Sequence, residues 1–88
     1  MRRAARRDLN ERAIVMALEK AGCSVIRISQ PGVPDLLVGR YGRNMLLEVK
    51  SRDGTLTEDQ EQWHARWRGQ VAIVRDELEA LRVVGVIR

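Results

Sequence analysis

Residues 34–50 have the sequence PDLLVGRYGRNMLLEVK and predict a β-hairpin. Two apolar runs, at 36–38 and 45–47, flank a polar stretch with two glycines, which is the pattern that joins two antiparallel strands. The turn would centre on Tyr41 and Gly42. Because tyrosine disfavours the left-handed backbone that a two-residue turn needs, we expect the turn to widen to four residues without a change of register.

The register of this hairpin sets Asp35 opposite Glu48. Opposed residues share one face of a sheet with Cβ atoms about 5 Å apart, where two carboxylates repel unless a positive charge lies between them. Lys50 projects to that face too, because it follows Glu48 by two residues. Glu48 also interrupts an apolar run typical of buried strands, where a carboxylate is costly unless it is paired or bound to metal. These residues predict a divalent-cation site for phosphodiester hydrolysis, against the alternative of a hairpin whose charges face water.

The whole sequence predicts a single domain over residues 1–88, of the α/β class, with a mixed four-stranded sheet. The predicted elements are a helix from the capping box Asp8/Glu11 to Ala21, a strand at 25–28, the two hairpin strands, a helix from the capping box Thr57/Gln60 to Gly69, a strand at 71–74 and a short helix from Asp76. The core order is therefore α-β-β-β-α-β. A helix between the third and fourth strands is the crossover that a parallel pair requires.

The composition narrows the class of protein. One cysteine and one histidine exclude an internal disulfide and leave no structural zinc set. No apolar run is long enough to span a membrane and no signal-peptide pattern is present, so we expect a cytoplasmic protein.

The net charge of +4 suits a polyanionic partner, and the scarcity of aromatic residues favours duplex or junction DNA over single strands. The cluster Arg2, Arg3, Arg6 and Arg7 is either a solvated terminus or a phosphate contact.

Three segments, taken in order, resemble the virus-type replication-repair nuclease (VRR-NUC) domain of the PD-(D/E)xK nuclease superfamily. They are residues 32–35 (GVPD), 48–51 (EVKS) and 56–63 (LTEDQEQW). The resemblance implies a restriction-endonuclease-like core, binding of Mg²⁺ or Mn²⁺, and hydrolysis of DNA phosphodiesters. It also implies a homodimer that acts on branched, Holliday-junction-like or duplex DNA, as small stand-alone members from phages do. The expected setting is then a bacterial host cell or its phage.

The same resemblance implies roles for the motif residues. Asp35, Glu48 and the Val49 carbonyl would hold the metal ion, and such an all-oxygen set suits Mg²⁺ or Mn²⁺. Lys50 would position the attacking water or stabilise the charge that develops on the phosphate.

Three further residues complete the set considered from the sequence. Glu11 matches the acidic residue that the family carries on its first helix, where it would bind a second ion or orient water, although Asp8 lies close enough to be that residue. Gln60 is both a capping-box residue and a match to the family's site-facing glutamine, which would make it part of the catalytic set. His64 has no obvious partner and is predicted to lie at the surface.

Two other functions are compatible with parts of the sequence. A non-catalytic DNA-binding or assembly module would retain the nuclease fold, but the intact motifs argue against it. A ferredoxin-like regulatory or RNA-binding protein would have the order β-α-β-β-α-β, which differs from the helix-first order predicted here. For a homodimer, the candidate surfaces are Trp63 and Trp67 on the second helix and the apolar tail at 83–87, of which we favour the tail.

Overall fold

A computed structural model describes the chain from residue 2 to residue 88, with side chains from residue 10 onward. The elements are α1 (Arg2–Lys20), β1 (Ser24–Arg27), β2 (Leu36–Arg40), β3 (Arg43–Val49), α2 (Glu58–Arg66), β4 (Val71–Val74) and α3 (Glu77–Val83). This confirms the predicted order and the short closing helix. Within the described residues, no helix has both the length and the apolar character needed to cross a bilayer.

The four strands form one mixed sheet in the order β1-β2-β3-β4. Strand β2 pairs antiparallel with both β1 and β3, whereas β3 and β4 are parallel. Helix α2 makes the crossover between the two parallel strands, because a parallel pair cannot be joined by a tight turn. The predicted α/β class is confirmed, and the arrangement is that of a restriction-endonuclease-like core.

The hairpin has the predicted register but a tighter turn than expected. Five residue pairs join β2 to β3, and the last of them is Arg40 with Arg43. Only Tyr41 and Gly42 remain for the turn, with φ values of 49° and 77°. The expectation of a four-residue turn was therefore wrong. Two left-handed residues match the twist of the flanking strands. The Arg40 guanidinium lies 4.3 Å from the centre of the Tyr41 ring, and this favourable contact offsets part of the cost of a left-handed backbone at Tyr41.

Helix α1 begins earlier than the sequence predicted. It starts at Arg2, so Asp8 lies inside the helix and is not its N-cap. Arginine and alanine, which dominate residues 2–7, are strong helix formers and extend the helix through the expected boundary. The side chains of Asp8 and of the N-terminal arginine cluster lie outside the part that the structure describes. The helix ends before Gly22, whose φ of 93° is the left-handed conformation that terminates many helices.

One face of the sheet packs against α1 and α3 and forms the hydrophobic core. The buried residues of this cluster are Ile14, Val15, Leu18, Cys23, Leu36, Val38, Leu47, Val49, Val74 and Ala80. Val84 and Val86, which follow α3, pack against the same cluster. The C-terminal tail thus covers part of its own core, more than the sequence suggested, and its place in a dimer interface stays a prediction.

The other face of the sheet carries the charged motif residues. Side chains alternate along a strand, so Leu46 and Glu48 lie opposite the core face that holds Leu47 and Val49. The side chains of Gln60 and His64 on α2 reach Glu48 on this second face, and none of the helix residues is fully buried. Ile26 on β1, at the edge of the sheet, stays largely exposed. This second face is the one on which the candidate site is built.

Candidate active site

Asp35 is fixed at the open end of the hairpin by backbone contacts on two sides. It precedes β2 and is buried. The Val49 amide donates to Asp35 Oδ2 at 2.7 Å, and the Ile28 amide donates to the Asp35 carbonyl at 2.7 Å. The carboxylate therefore lies against the segment of β3 that carries Glu48, as the register predicted.

Glu48, Gln60 and Lys50 form one hydrogen-bonded network. The Gln60 side-chain amide donates to Glu48 Oε2 at 3.2 Å, and Lys50 Nζ donates to Gln60 Oε1 at 2.7 Å. Glu48 is only 2% exposed, whereas Lys50 and Gln60 are half-buried, so this network runs from the protein interior towards solvent. Lys50 and Glu48 share a face of the sheet, as expected from their spacing of two residues.

Gln60 satisfies both interpretations of the sequence at once. The Thr57 amide donates to Gln60 Oε1 at 2.9 Å, and the Gln60 amide donates to Thr57 Oγ1 at 3.2 Å, which completes the capping box of α2. The same Oε1 atom accepts from Lys50, while the side-chain nitrogen reaches Glu48. Gln60 thus joins the N-terminal cap of α2 to two motif residues on and after β3.

His64 is part of this site, and the prediction that it lies on the surface without a partner was wrong. Its side chain is 14% exposed, and Nε2 lies 3.7 Å from Glu48 Oε1. Burial, and to a lesser degree the positive charge of Lys50, lower the pKa of His64, which keeps the imidazole neutral at neutral pH. A usable signal was present in the sequence, because residues four apart on a helix share a face and His64 follows Gln60 by four.

Helix α1 reaches the site through Asn10, a residue that no sequence pattern singled out. Its side-chain amide donates to the Lys50 carbonyl at 2.9 Å. Glu11 is buried beside it and lies 3.3 Å from Arg27 Nε on β1. The structure therefore places Glu11 in an ion pair with β1, and its role as a metal ligand stays a prediction.

The donor atoms fit a hard cation but do not complete its coordination. Asp35 and Glu48 place two buried carboxylates beside the backbone of Val49. Among the residues described, no three His, Cys, Asp or Glu side chains form a metal-binding group. Carboxylate and carbonyl oxygens suit Mg²⁺ or Mn²⁺, which commonly keep several water or phosphate ligands in protein sites. These residues can thus supply only some of the ligands of such an ion, and substrate and water would fill the remaining coordination positions.

A comparison with protein families assigns the chain. The model of the archaeal Holliday junction resolvase (Hjc) family matches residues 3–64, a stretch that contains every motif residue of the site. The chain belongs to the Hjc family. No curated protein and no solved structure matched the chain.

Hjc membership confirms part of what the motifs predicted. Hjc resolvases are PD-(D/E)xK nucleases that act on Holliday junctions, so the superfamily, the nuclease class and the binding of branched DNA are confirmed. Nucleases of this superfamily generally use divalent metals. The narrower resemblance to VRR-NUC domains stays a prediction.

Proposed function

We propose that this Hjc-family chain is an endonuclease dependent on Mg²⁺ or Mn²⁺ that hydrolyses phosphodiester bonds in four-way or other branched DNA. The observation that carries the proposal is the network in which Gln60 joins buried Glu48 to Lys50, next to Asp35. Metal-assisted hydrolysis of a phosphodiester uses carboxylates that can hold the ion and a fixed positive charge near the phosphate, and this network brings both together.

In this proposal Asp35, Glu48 and the Val49 carbonyl hold the ion. When bound, a divalent cation lowers the pKa of a coordinated water and offsets negative charge on the phosphate. The Val49 amide keeps one oxygen of Asp35 in place, and Gln60 does the same for Glu48. Fixed carboxylates spare the reorganisation that metal binding would otherwise demand. Glu11 is proposed to orient water or bind a second ion.

Lys50 is proposed to act on the substrate. Its ammonium is held by Gln60, and Asn10 fixes its backbone through the carbonyl. An ammonium positioned in this way can donate to a phosphate oxygen or to the attacking water, where preorganised charge has most effect. His64, on the other side of Glu48, is proposed to position that carboxylate through its neutral imidazole.

A homodimer is the proposed working unit, because a junction has two strands to cut and each chain carries one site. A two-fold dimer supplies two sites of opposed polarity. The proposed interface is the second face of the sheet beyond α2. There the Trp63 and Trp67 rings stack with centroids 4.7 Å apart. A cavity of about 570 Å³ is lined by Trp67, Leu37 and Leu46 among others. An apolar patch of this kind commonly marks an interface.

The biological setting is proposed from the resemblance to VRR-NUC domains. Gln60 and Trp63 keep the VRR-NUC spacing, which supports an enzyme of phage or mobile-element replication, recombination or repair. The proposed compartment is the cytoplasm of a bacterial host, because branched DNA arises there. A non-catalytic DNA-binding module, which is the competing function, would not require a buried Glu48 carboxylate held by Gln60.

Cleavage of a synthetic four-way junction tests the proposal. We expect cutting with Mg²⁺ or Mn²⁺ and none with EDTA. Glu48→Gln, which keeps the size of the side chain and removes its charge, should lower the rate by about 10²-fold or more while circular dichroism stays unchanged. Lys50→Ala should also lose cleavage yet still bind the junction. The proposal would be contradicted if the wild type still cut the junction in EDTA, or if Glu48→Gln cut it as fast as the wild type.

A further inference from the structure

We infer that the turn end of the hairpin carries a second phosphate-binding site, separate from the candidate active site, that holds a duplex arm of the branched DNA. This inference rests on the proposed function, since it names a further contact with the same substrate. A cavity of about 410 Å³ lies between the hairpin turn and the residues after α3. It is lined by Val38, Arg40, Tyr41, Arg43, Asn44, Met45, Gln70, Val83, Val84 and Gly85. We call it the turn-end cavity.

The charges that line the turn-end cavity favour an anion. Arg40 and Arg43 both line it, and no carboxylate does among the residues that the structure describes. The two arginines are direct cross-strand partners, and like charges in that position destabilise a sheet. A bound anion would offset this repulsion. The guanidinium group presents its N–H donors as a planar fork that matches two oxygens of one phosphate, so a phosphate fits better than a halide.

Arg40 is already held in position for such a ligand. Its Nη1 donates to the Val84 carbonyl at 3.3 Å, and its guanidinium lies over the Tyr41 ring. A side chain ordered before binding loses less conformational entropy when the ligand arrives. Arg43, across the turn, is exposed and can approach the same anion from the solvent side.

The turn-end cavity and the candidate active site take different phosphates. Arg43 lies five residues before Glu48 on β3, and strand geometry separates the two by about 17 Å. Alternation also places the Arg40 and Arg43 side chains on the core face, opposite the face of Glu48. Because DNA phosphates of one strand advance about 3.4 Å per nucleotide along the axis, the second contact would be some five or more steps from the cut. Loss of the phosphate contact at the turn-end cavity should therefore weaken the binding of DNA without altering the cleavage step.

Salt-dependent binding of a four-way junction in EDTA tests this inference. Fluorescence anisotropy between about 50 and 200 mM salt would compare the wild type, Arg43→Gln, the double variant Arg40→Gln/Arg43→Gln and Arg12→Gln. Arg12 is an exposed arginine on α1 and controls for the loss of one charge. We expect the slope of log K against log salt to fall by about one for Arg43→Gln and about two for the double variant, with Arg12→Gln unchanged. In cleavage assays with Mg²⁺, the KM of Arg43→Gln and of the double variant should rise above that of the wild type, while their kcat should stay the same.

The results separate this inference from the proposed function. If the wild type neither binds nor cuts the junction, the proposed function fails and this inference fails with it. If the wild type cuts and the slopes of Arg43→Gln and Arg12→Gln coincide, only the turn-end site is refuted. Arg43→Gln is the primary variant because its side chain is exposed, and a melting curve equal to that of the wild type shows that the fold is intact.

Discussion

The side-chain amide of Gln60 donates to Glu48 Oε2 at 3.2 Å, so the residue that caps α2 also holds the carboxylate on β3. The two roles can be separated by comparing Gln60→Ala with Thr57→Ala. Thr57→Ala removes the cap alone and should cost about 1 kcal/mol of stability with kcat retained. Gln60→Ala should in addition lower junction cleavage by about 10- to 100-fold. Equal cleavage rates for the two variants would reduce Gln60 to a cap.

Divalent metal should stabilise the folded protein. A ligand that binds only the folded state raises the free energy of unfolding by about 2.7 kcal/mol at a hundredfold excess over Kd. Melting followed by circular dichroism should therefore shift upward with Mn²⁺ or Mg²⁺. Asp35→Asn, which keeps the side-chain volume, should remove the shift. A midpoint that neither ion moves would mean that Asp35 and Glu48 do not hold metal without DNA.

Stability should fall in mild acid because of His64. Burial and Lys50 lower the pKa of His64 in the folded state, so the unfolded chain takes up a proton at a higher pH than the folded chain does. The contribution of His64 to stability is thus present above the unfolded value of about 6.5 and is lost as the pH falls through the folded pKa. In metal-free buffer, His64→Gln should lose less stability than the wild type between about pH 7.5 and 5.5. Parallel curves for the two proteins would contradict the assignment.

The proposed dimer surface can be tested with two equally exposed residues. Ile26 on β1 is 60% exposed and Met16 on α1 is 61% exposed. Ile26→Glu places a charge on the second face of the sheet and should yield a monomer in light scattering at micromolar concentration. Met16→Glu should leave the dimer intact. A monomeric wild type, or a dimer that both variants retain, would exclude this interface.

The hairpin was predictable because its pattern has a period of two. Each apolar residue must face the core, which leaves one register, and the spacing of the residues along the chain then puts Asp35, Glu48 and Lys50 together. The placement of Gln60 was also accessible, since Thr57 and Gln60 have the spacing of a capping box.

The features that the sequence did not predict depend on contacts between distant parts of the chain. His64 is polar and lies on a mostly exposed helix, and only the approach of α2 to β3 buries its imidazole. The turn at Tyr41 is tight because strand pairing extends to Arg40 and Arg43, overriding the local preference of tyrosine. The C-terminal valines resembled a free apolar patch because the groove that receives them is formed by other elements.

The parallel pairing of β3 with β4 has a consequence for the order of events during synthesis. Glu48 is paired with Ile73, and the Lys50 amide donates to the Val74 carbonyl at 3.0 Å. The antiparallel strands β1, β2 and β3 are neighbours along the chain and can associate as soon as they leave the ribosome. Strand β4 must wait for the crossover helix, since a non-local parallel contact forms late. We therefore expect a nascent chain that lacks β4 to have an incomplete site, even when all of the motif residues have been synthesised.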